Sequence, residues 1–304
     1  MNNIKTEFSI KDLENLSGIK AHTIRIWEKR YNLFQPKRTD TNIRYYSTES
    51  LQKILNVAFL NTHGYKISKI SSLTNNGISS LVQEIASNEN VDDDYAVSAF
   101  KLAMLTFDQR LFSKTYKELI AKKTFNDIFY NAFIPLLNEI GLLWQTDTIT
   151  PAHEHFISTR IKQKILLNTE KKSDVTPNNC QKTFVFFLPE NEIHDIGLLF
   201  INYELVSRGY QTLFLGQSIP IDSLVDLLKF FNDITFISYF TVKPEKEDLV
   251  NYLEQFKDKL LRDNSNEFWI LGYMLKNLDL KNLPKKITPF VSISDLVHKL
   301  QKKS

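Results

Sequence analysis

The spacing of apolar residues changes character along this chain of 304 residues. In the first stretch apolar positions recur at helical intervals in two short runs, Ile10–Leu16 and Ala21–Tyr31, with Ser17-Gly18 as a tight turn between them. That is the grammar of a helix-turn-helix. On the second run Ile24 and Trp27 face inward, while Thr23, Arg25, Lys29 and Arg30 reach outward. Pro36-Lys37-Arg38 then breaks the helix, Asp40-Thr41-Asn42 reads as a hairpin turn, and Ile43-Arg44-Tyr45-Tyr46 reads as a short strand. The hairpin forms a wing that carries cations beside the second helix. Ser47 caps a further helix with Leu51, Ile54, Leu55, Ala58 and Phe59 on one face, ended by Gly64. Tyr65–Leu73 predicts one more short helix, with Lys66 near the same side as the wing.

From Asp92 to Glu170 the period stays helical and the runs lengthen into four helices. Asp108 caps the second, Thr124 the third, and Pro151 starts the fourth; Pro135 predicts a kink in the third. Lys171–Gln181 is polar and contains a proline, which marks a linker. After it the texture becomes short apolar strands alternating with helices. Strands are expected at Thr183–Leu188, Gln211–Leu215, Ile234–Tyr239, Phe268–Leu271 and Pro289–Ser292, with helices at His194–Arg208, Ile221–Phe231 and Pro244–Leu261. Pro244 suits a first helical position. Such alternation predicts a doubly wound parallel sheet, whose ligands bind beyond the carboxyl ends of the strands.

The expected fold is therefore multidomain. A mainly-α winged helix-turn-helix over 1–76 is followed by a linker (77–91) in which Ile78–Asn90 reads as a short helix or linker, then a four-helix bundle (92–170), a second linker (171–181) and a Rossmann-like α/β doubly wound parallel sheet (182–304). No repeat is visible.

Charge sharpens the reading of the first segment. Residues 1–75 hold 12 of the 38 Lys and Arg but 6 of the 35 Asp and Glu, a net +6, which leaves −3 for the remainder. A basic excess confined to the winged segment is the electrostatic footprint of a duplex-DNA reader. In that reading the second helix enters the major groove. Lys37, Arg38, Arg44, Tyr45 and Lys66 hold phosphates beside it. The single cysteine, Cys180, excludes an internal disulfide framework and a thiolate metal cage. There is no signal peptide and no apolar run long enough to span a membrane, so a cytoplasmic bacterial protein with no membrane partner is expected.

In the last segment the loop after the first strand holds Glu192-Ile193-His194-Asp195-Ile196-Gly197, the third strand ends at Ser238 and the fourth at Gly272. The expected topology brings these to one edge of the sheet. A His in such a loop is a candidate metal ligand, and Glu192 would orient its other ring nitrogen. A His near a helix start also serves often as a cap or surface residue.

Two resemblances bear on these residues. Thr-x-Arg-x-Trp-Glu-x-Arg-Tyr (23–31) with Arg44-Tyr45-Tyr46 closely resembles the MerR family of bacterial transcription regulators. Glu-x-His-x-x-Gly (192–197), Gly209-Tyr210 and Leu215-Gly216-x-x-Ile219-Pro220 resemble the cobalamin-binding fold. That second resemblance implies His194 as the lower cobalt ligand, with Ser238 and Gly272 beside the nucleotide tail. Trp144, followed by nine residues and Glu154-His155, is similar to the helical cap of light-sensing cobalamin regulators of the CarH/LitR type. There the Trp covers the upper axial group and the Glu-His pair lies beside it; the plainer alternative is a core Trp and a solvated helix face. The implied protein is a DNA-binding repressor and not an enzyme. Its assembly as a homo-oligomer, dimer or tetramer, on an operator would be set by adenosylcobalamin and light.

Three departures from the family pattern stand beside this. Phe240 follows Ser238 where a smaller residue is usual, Tyr273 replaces the second glycine of a Gly-Gly pair, and Gln145 stands where a His often follows the cap Trp. Rings at 240 and 273 would fill the tail slot, unless the register turns Phe240 away. The alternative function is a regulator with a degenerate cobalamin site, controlled by a protein partner or another ligand. A corrinoid-dependent methyltransferase or mutase fits poorly, because no barrel-sized substrate domain fits in this length.

Overall fold

In the computed structural model, which describes residues 7–86, 92–173, 179–262, 265–277 and 283–301, Ser9 opens the first helix with a capping box. Its hydroxyl accepts the N–H of Asp12, and the Asp12 carboxylate accepts that of Ser9. Helix α1 (Ile10–Ser17) ends at Gly18, which takes the left-handed conformation at φ 73°, and α2 (Ala21–Tyr31) follows. Leu13, Leu16, Ile24 and Trp27 are buried between them. A small antiparallel sheet of β1 (Glu7–Ser9), β2 (Lys37–Arg38) and β3 (Arg44–Ser47), in the order β1-β3-β2, carries the wing. Strand β1 is an addition to the expected hairpin.

Ser47 caps α3 (Thr48–Thr62) as expected, and the short α4 (Ile67–Ile70) follows. Helix α5 (Asn75–Ala86) takes the helical alternative of the 77–91 stretch, because Ile78 and Val82 are apolar positions that bury against α3. Residues 87–91 lie outside the described residues.

The helical segment contains α6 (Asp92–Thr106), α7 (Gln109–Ile120), α8 (Phe125–Ile128), α9 (Ile134–Gln145) and α10 (Pro151–Ser173). Asp108 and Thr124 are the caps expected of them. A π-helical stretch, Phe129–Phe133, joins α8 to α9. Pro135 has no N–H to give to the preceding turn, and the widened turn lies just before it. Phe100, Phe112 and Phe133 centre this core, with ring centroids 4.8 and 5.5 Å apart.

By internal packing the chain divides into two compact units, Met1–Thr159 and Arg160–Ser304. The second is built on β4 (Asn179–Pro189), α11 (Ile196–Val206), β5 (Tyr210–Ile219), α12 (Ile221–Val225), β6 (Ile234–Tyr239), α13 (Leu249–Phe256), β7 (Glu267–Leu271), β8 (Ile287–Pro289) and α14 (Ile293–Gln301). The sheet is parallel in the order β5-β4-β6-β7-β8. Its inner strands are near-continuous apolar runs because helices cover both faces. The chain leaves β5 on one side of β4 and returns to β6 on the other, so the topological switch point lies between β4 and β6.

Several boundaries differ from expectation: β5 runs on to Ile219, and the helix from Ile221 ends at Val225 and continues as a 3-10 helix to Lys229. The last strand is Ile287–Pro289 rather than Pro289–Ser292. Residues 174–178 of the second expected linker lie outside the described residues, and β4 begins at Asn179. Pro244 does not begin a helix: its bond to Lys243 is cis, and α13 starts at Leu249. The segment before it is held as a loop because its N–H groups are turned toward Glu192.

Gly272 ends β7 at φ 119°, and a Cβ there would lie 2.1 Å from the carbonyl oxygen of Phe240. Only glycine lets the two strand ends approach so closely. Gly272→Ala is expected to cost about 3 kcal/mol through backbone strain and overlap, read as a lower midpoint in chemical unfolding with an unchanged slope.

Candidate DNA interface and cofactor loop

Arg25, Lys29 and Arg30 stand exposed on α2, the basic end of the helix carrying Arg30 over the Tyr31 ring at 5.4 Å. Thr23 is half-buried and close to His22. Lys37, Arg38 and Lys66 are exposed, and Arg38 donates to the side chain of Asn42 at 2.6 Å, which closes the wing turn. Arg44 and Tyr45 are half-buried. Arg44 is paired with Glu28 at 3.3 Å, and the buried Tyr46 hydroxyl donates to the same carboxylate. Burial and this bond raise the Tyr46 phenol above its usual range. Glu28 was visible in the sequence as part of the 23–31 pattern but without a role. It ties β3 to α2, so one of the cations expected on phosphate is already engaged within the protein.

The loop after β4 is organised around one side chain. Glu192 is fully buried. Its Oε1 accepts the N–H of Ile193 at 2.9 Å, the N–H of His194 at 3.0 Å and the His194 Nδ1 at 2.5 Å. Its Oε2 accepts the N–H groups of Thr241, Val242 and Lys243 at 3.2, 2.7 and 2.9 Å. The carboxylate therefore fastens the loop after β4 to the loop after β6, across the switch point. Burial alone would raise its pKa; the His194 ring and the N–H groups of Lys243, Val242 and His194 outweigh that and hold it at about 2. A neutral imidazole that donates from Nδ1 carries its lone pair on Nε2, and the His194 side chain is 49% exposed. The hydrogen bond expected between Glu192 and a ring nitrogen of His194 is present. Its hold on 241–243 had no sequence signal, because the donors are main-chain groups.

The other expected residues fall nearby or pack within the unit. Ser238 is fully buried, and its hydroxyl has no hydrogen-bond partner among the described residues. A Cβ on Gly197 would meet the Tyr239 ring at 2.8 Å, so this glycine admits an aromatic ring of the protein itself. The Phe240 ring is buried among Tyr252 and Phe268, at centroid distances of 5.8 and 6.3 Å. Tyr273 departs from expectation. It is 65% exposed, with the Lys276 ammonium 4.7 Å from its ring, and so it does not fill a slot. A strand end capped by Gly272 turns outward at the next residue.

In the first unit Trp144 is 48% exposed at the end of α9, which excludes the core reading of this residue. Gln145 is exposed beside it. On α10 Glu154 accepts the Ser158 hydroxyl at 2.7 Å and lies 3.4 Å from the exposed His155. His153 is buried, stacked on Phe107 at 4.6 Å, and accepts the Thr150 N–H, so it is a packing residue.

Residues 8–76 match the MerR HTH family regulatory protein family, and residues 97–167 match the B12 binding domain. The chain is similar to the HTH-type transcriptional repressor CarH of Myxococcus xanthus, 25% identical over 71% of this chain and 73% of that protein. It is also similar to the HTH-type transcriptional repressor CarA of the same organism, 24% identical over 71% of this chain and 70% of that protein. Among solved structures, the Methanosarcina barkeri monomethylamine corrinoid protein shares the fold at a TM-score of 0.58 and 13% identity, over 70% of this chain and all of that one. The chain thus carries a MerR-type helix-turn-helix and a B12-binding domain.

The Glu192 carboxyl gives a pH test. Its folded-state pKa of about 2 lies below the ordinary 4.5, so its contribution is complete above about pH 4.5 and is lost as pH falls toward 2. That contribution is about 3 kcal/mol. Glu192→Gln is expected to remove this part of the acid dependence while lowering stability at neutral pH, measured by denaturant unfolding across pH 2–7.

Proposed function

We propose that the protein is a DNA-binding transcriptional regulator, acting as a repressor, controlled by cobalamin. One observation carries the cofactor half of this reading: a half-exposed imidazole whose tautomer is fixed by a buried carboxylate, at the switch point of a parallel sheet. Neutral imidazole is a good ligand for a transition metal, and the outer carboxylate is the device that makes it one. In this reading His194 would hold the cobalt, Glu192 would set its orientation, and Ser238, whose hydroxyl has no hydrogen-bond partner among the described residues, would offer it to the cofactor. Trp144, Glu154 and His155 would contact the cofactor, as the family resemblance implies. Adenosylcobalamin supplies a light-labile cobalt–carbon bond when bound. Gln145 carries no imidazole, so this chain lacks at that position a second histidine for cobalt.

A second reading, a regulator whose cobalamin site has closed, is favoured by one observation, the complete burial of Phe240 in the sheet-to-α13 core. It loses support from Tyr273, whose ring lies outside that core.

For DNA, Arg25, Lys29 and Arg30 read or hold the duplex from α2, and Lys37, Arg38 and Lys66 supply phosphate contacts. Arg44 and Tyr45 add to the wing within the limits set by Glu28. Assembly as a homo-oligomer on the operator would raise affinity by linking sites.

Two outcomes test these halves. Arg25→Ala is expected to weaken binding to a tight duplex selected from random sequence by about 1–3 kcal/mol; unchanged affinity in the folded variant removes Arg25 from the interface. In the dark, apo-protein is expected to bind adenosylcobalamin stoichiometrically, and His194→Ala to lose tight binding with its circular dichroism unchanged. Illumination is expected to give no spectrum of two histidine ligands. No binding by the unaltered protein, with binding gained by Phe240→Leu, would instead establish the closed-site reading.

A further inference from the structure

The first helix of the DNA-reading domain is fastened to the helical segment at two points. Asn15, in the last turn of α1, donates from Nδ2 to the Thr148 hydroxyl at 2.9 Å. Thr148 is buried and shares a hydrogen bond of 2.9 Å with the Thr146 hydroxyl, which donates in turn to the carbonyls of Leu142 and Leu143 in the last turn of α9. That turn carries Trp144 and Gln145. One residue along α1, the Leu16 carbonyl accepts from the Lys101 ammonium at 3.1 Å. Lys101 is 8% exposed and is paired with Glu139 of α9.

Both fastenings start from the last turn of α1; one reaches the turn after α9, and the other passes through Lys101 of α6 to Glu139 within α9. The Lys101 ammonium sits at the C-terminus of α1, where the helix dipole favours a cation. Pulling α1 away would leave this buried cation short of a bond, which is costly enough to make the docked arrangement a discrete state. The Thr146–Thr148 turn leaves little slack, since Asp147 is held in the left-handed region at φ 52° and its N–H bonds the Trp144 carbonyl. A displacement of Trp144 is therefore passed to Asn15 through five consecutive residues and one side-chain bond.

We propose that this double clamp, Asn15–Thr148 and Leu16–Lys101–Glu139, is the relay by which the cofactor state reaches the helix-turn-helix within one subunit. It rests on the reading of Trp144 as a cofactor contact. The relay makes operator affinity respond to cobalamin in addition to any effect of assembly, and by linkage makes cobalamin affinity respond to DNA.

The test uses the full chain and its Asn15→Ala and Thr148→Val variants, neither of which alters a residue assigned to DNA or cofactor. Affinity for the selected duplex is measured in the dark with and without adenosylcobalamin. Cobalamin binding is followed by absorbance and oligomeric state by light scattering. The expected result is unchanged cobalamin binding and assembly, with the ratio of the two operator affinities moved toward one by about threefold or more. An unchanged ratio in both folded variants overturns the relay, as does a loss of assembly that accounts for the whole effect. Wild-type protein that binds cobalamin with no change in operator affinity also overturns it, and leaves the cofactor site standing. Wild-type protein that binds no cobalamin overturns the site and the relay together.

Discussion

The geometry at the switch point depends on burying one negative charge. A carboxylate taken out of water is costly unless its lone pairs are met. Glu192 meets them with three donors on each oxygen, five main-chain N–H groups and the ring N–H of His194, all of them next to it or in the loop after β6. The two loops could not otherwise hold these shapes, because turns this tight leave N–H groups without strand or helix partners. Fixing the charge also fixes the ring of His194. The apolar strands on either side supply rigidity, and the single acid supplies direction.

Much of this was legible in the sequence, for reasons that differ by element. The turn at Ser17-Gly18 and the caps at Ser47, Asp108 and Thr124 are local signals, set by a residue and its own neighbours. The inner strands β4, β6 and β7 were legible because both faces are buried, so each is a dense run of apolar residues. Strand β1 was not, since three residues of the pattern exposed-buried-exposed become a strand only by pairing with β3. Pro244 misled because a residue suited to a helix start also suits a loop, and distant Glu192 decided between them. The bulk at 273 misled because side-chain direction beyond a strand end depends on the turn, and Gly272 sends Tyr273 to solvent. Legibility of the site was highest for the motif residues themselves and lowest for the main-chain donors that orient them.

On the DNA-reading side, Glu28 plays a part comparable to that of Glu192. It joins a helix to a hairpin by accepting from Tyr46 and pairing with Arg44. The hairpin is shortened further by the Arg38–Asn42 bond across its turn. Charge in this region is thus divided between groups committed to the protein's own shape and groups left on the surface.

That bracing has a consequence for which duplexes are accepted. A wing locked to its helix acts as a caliper of fixed span. Its jaws, α2 and the β2–β3 hairpin, close on a groove of one width, and a duplex of another width must deform to fit. Sequences that bend or narrow easily would then be favoured at base pairs that no side chain touches. Part of the operator code would be written in the stiffness of the DNA.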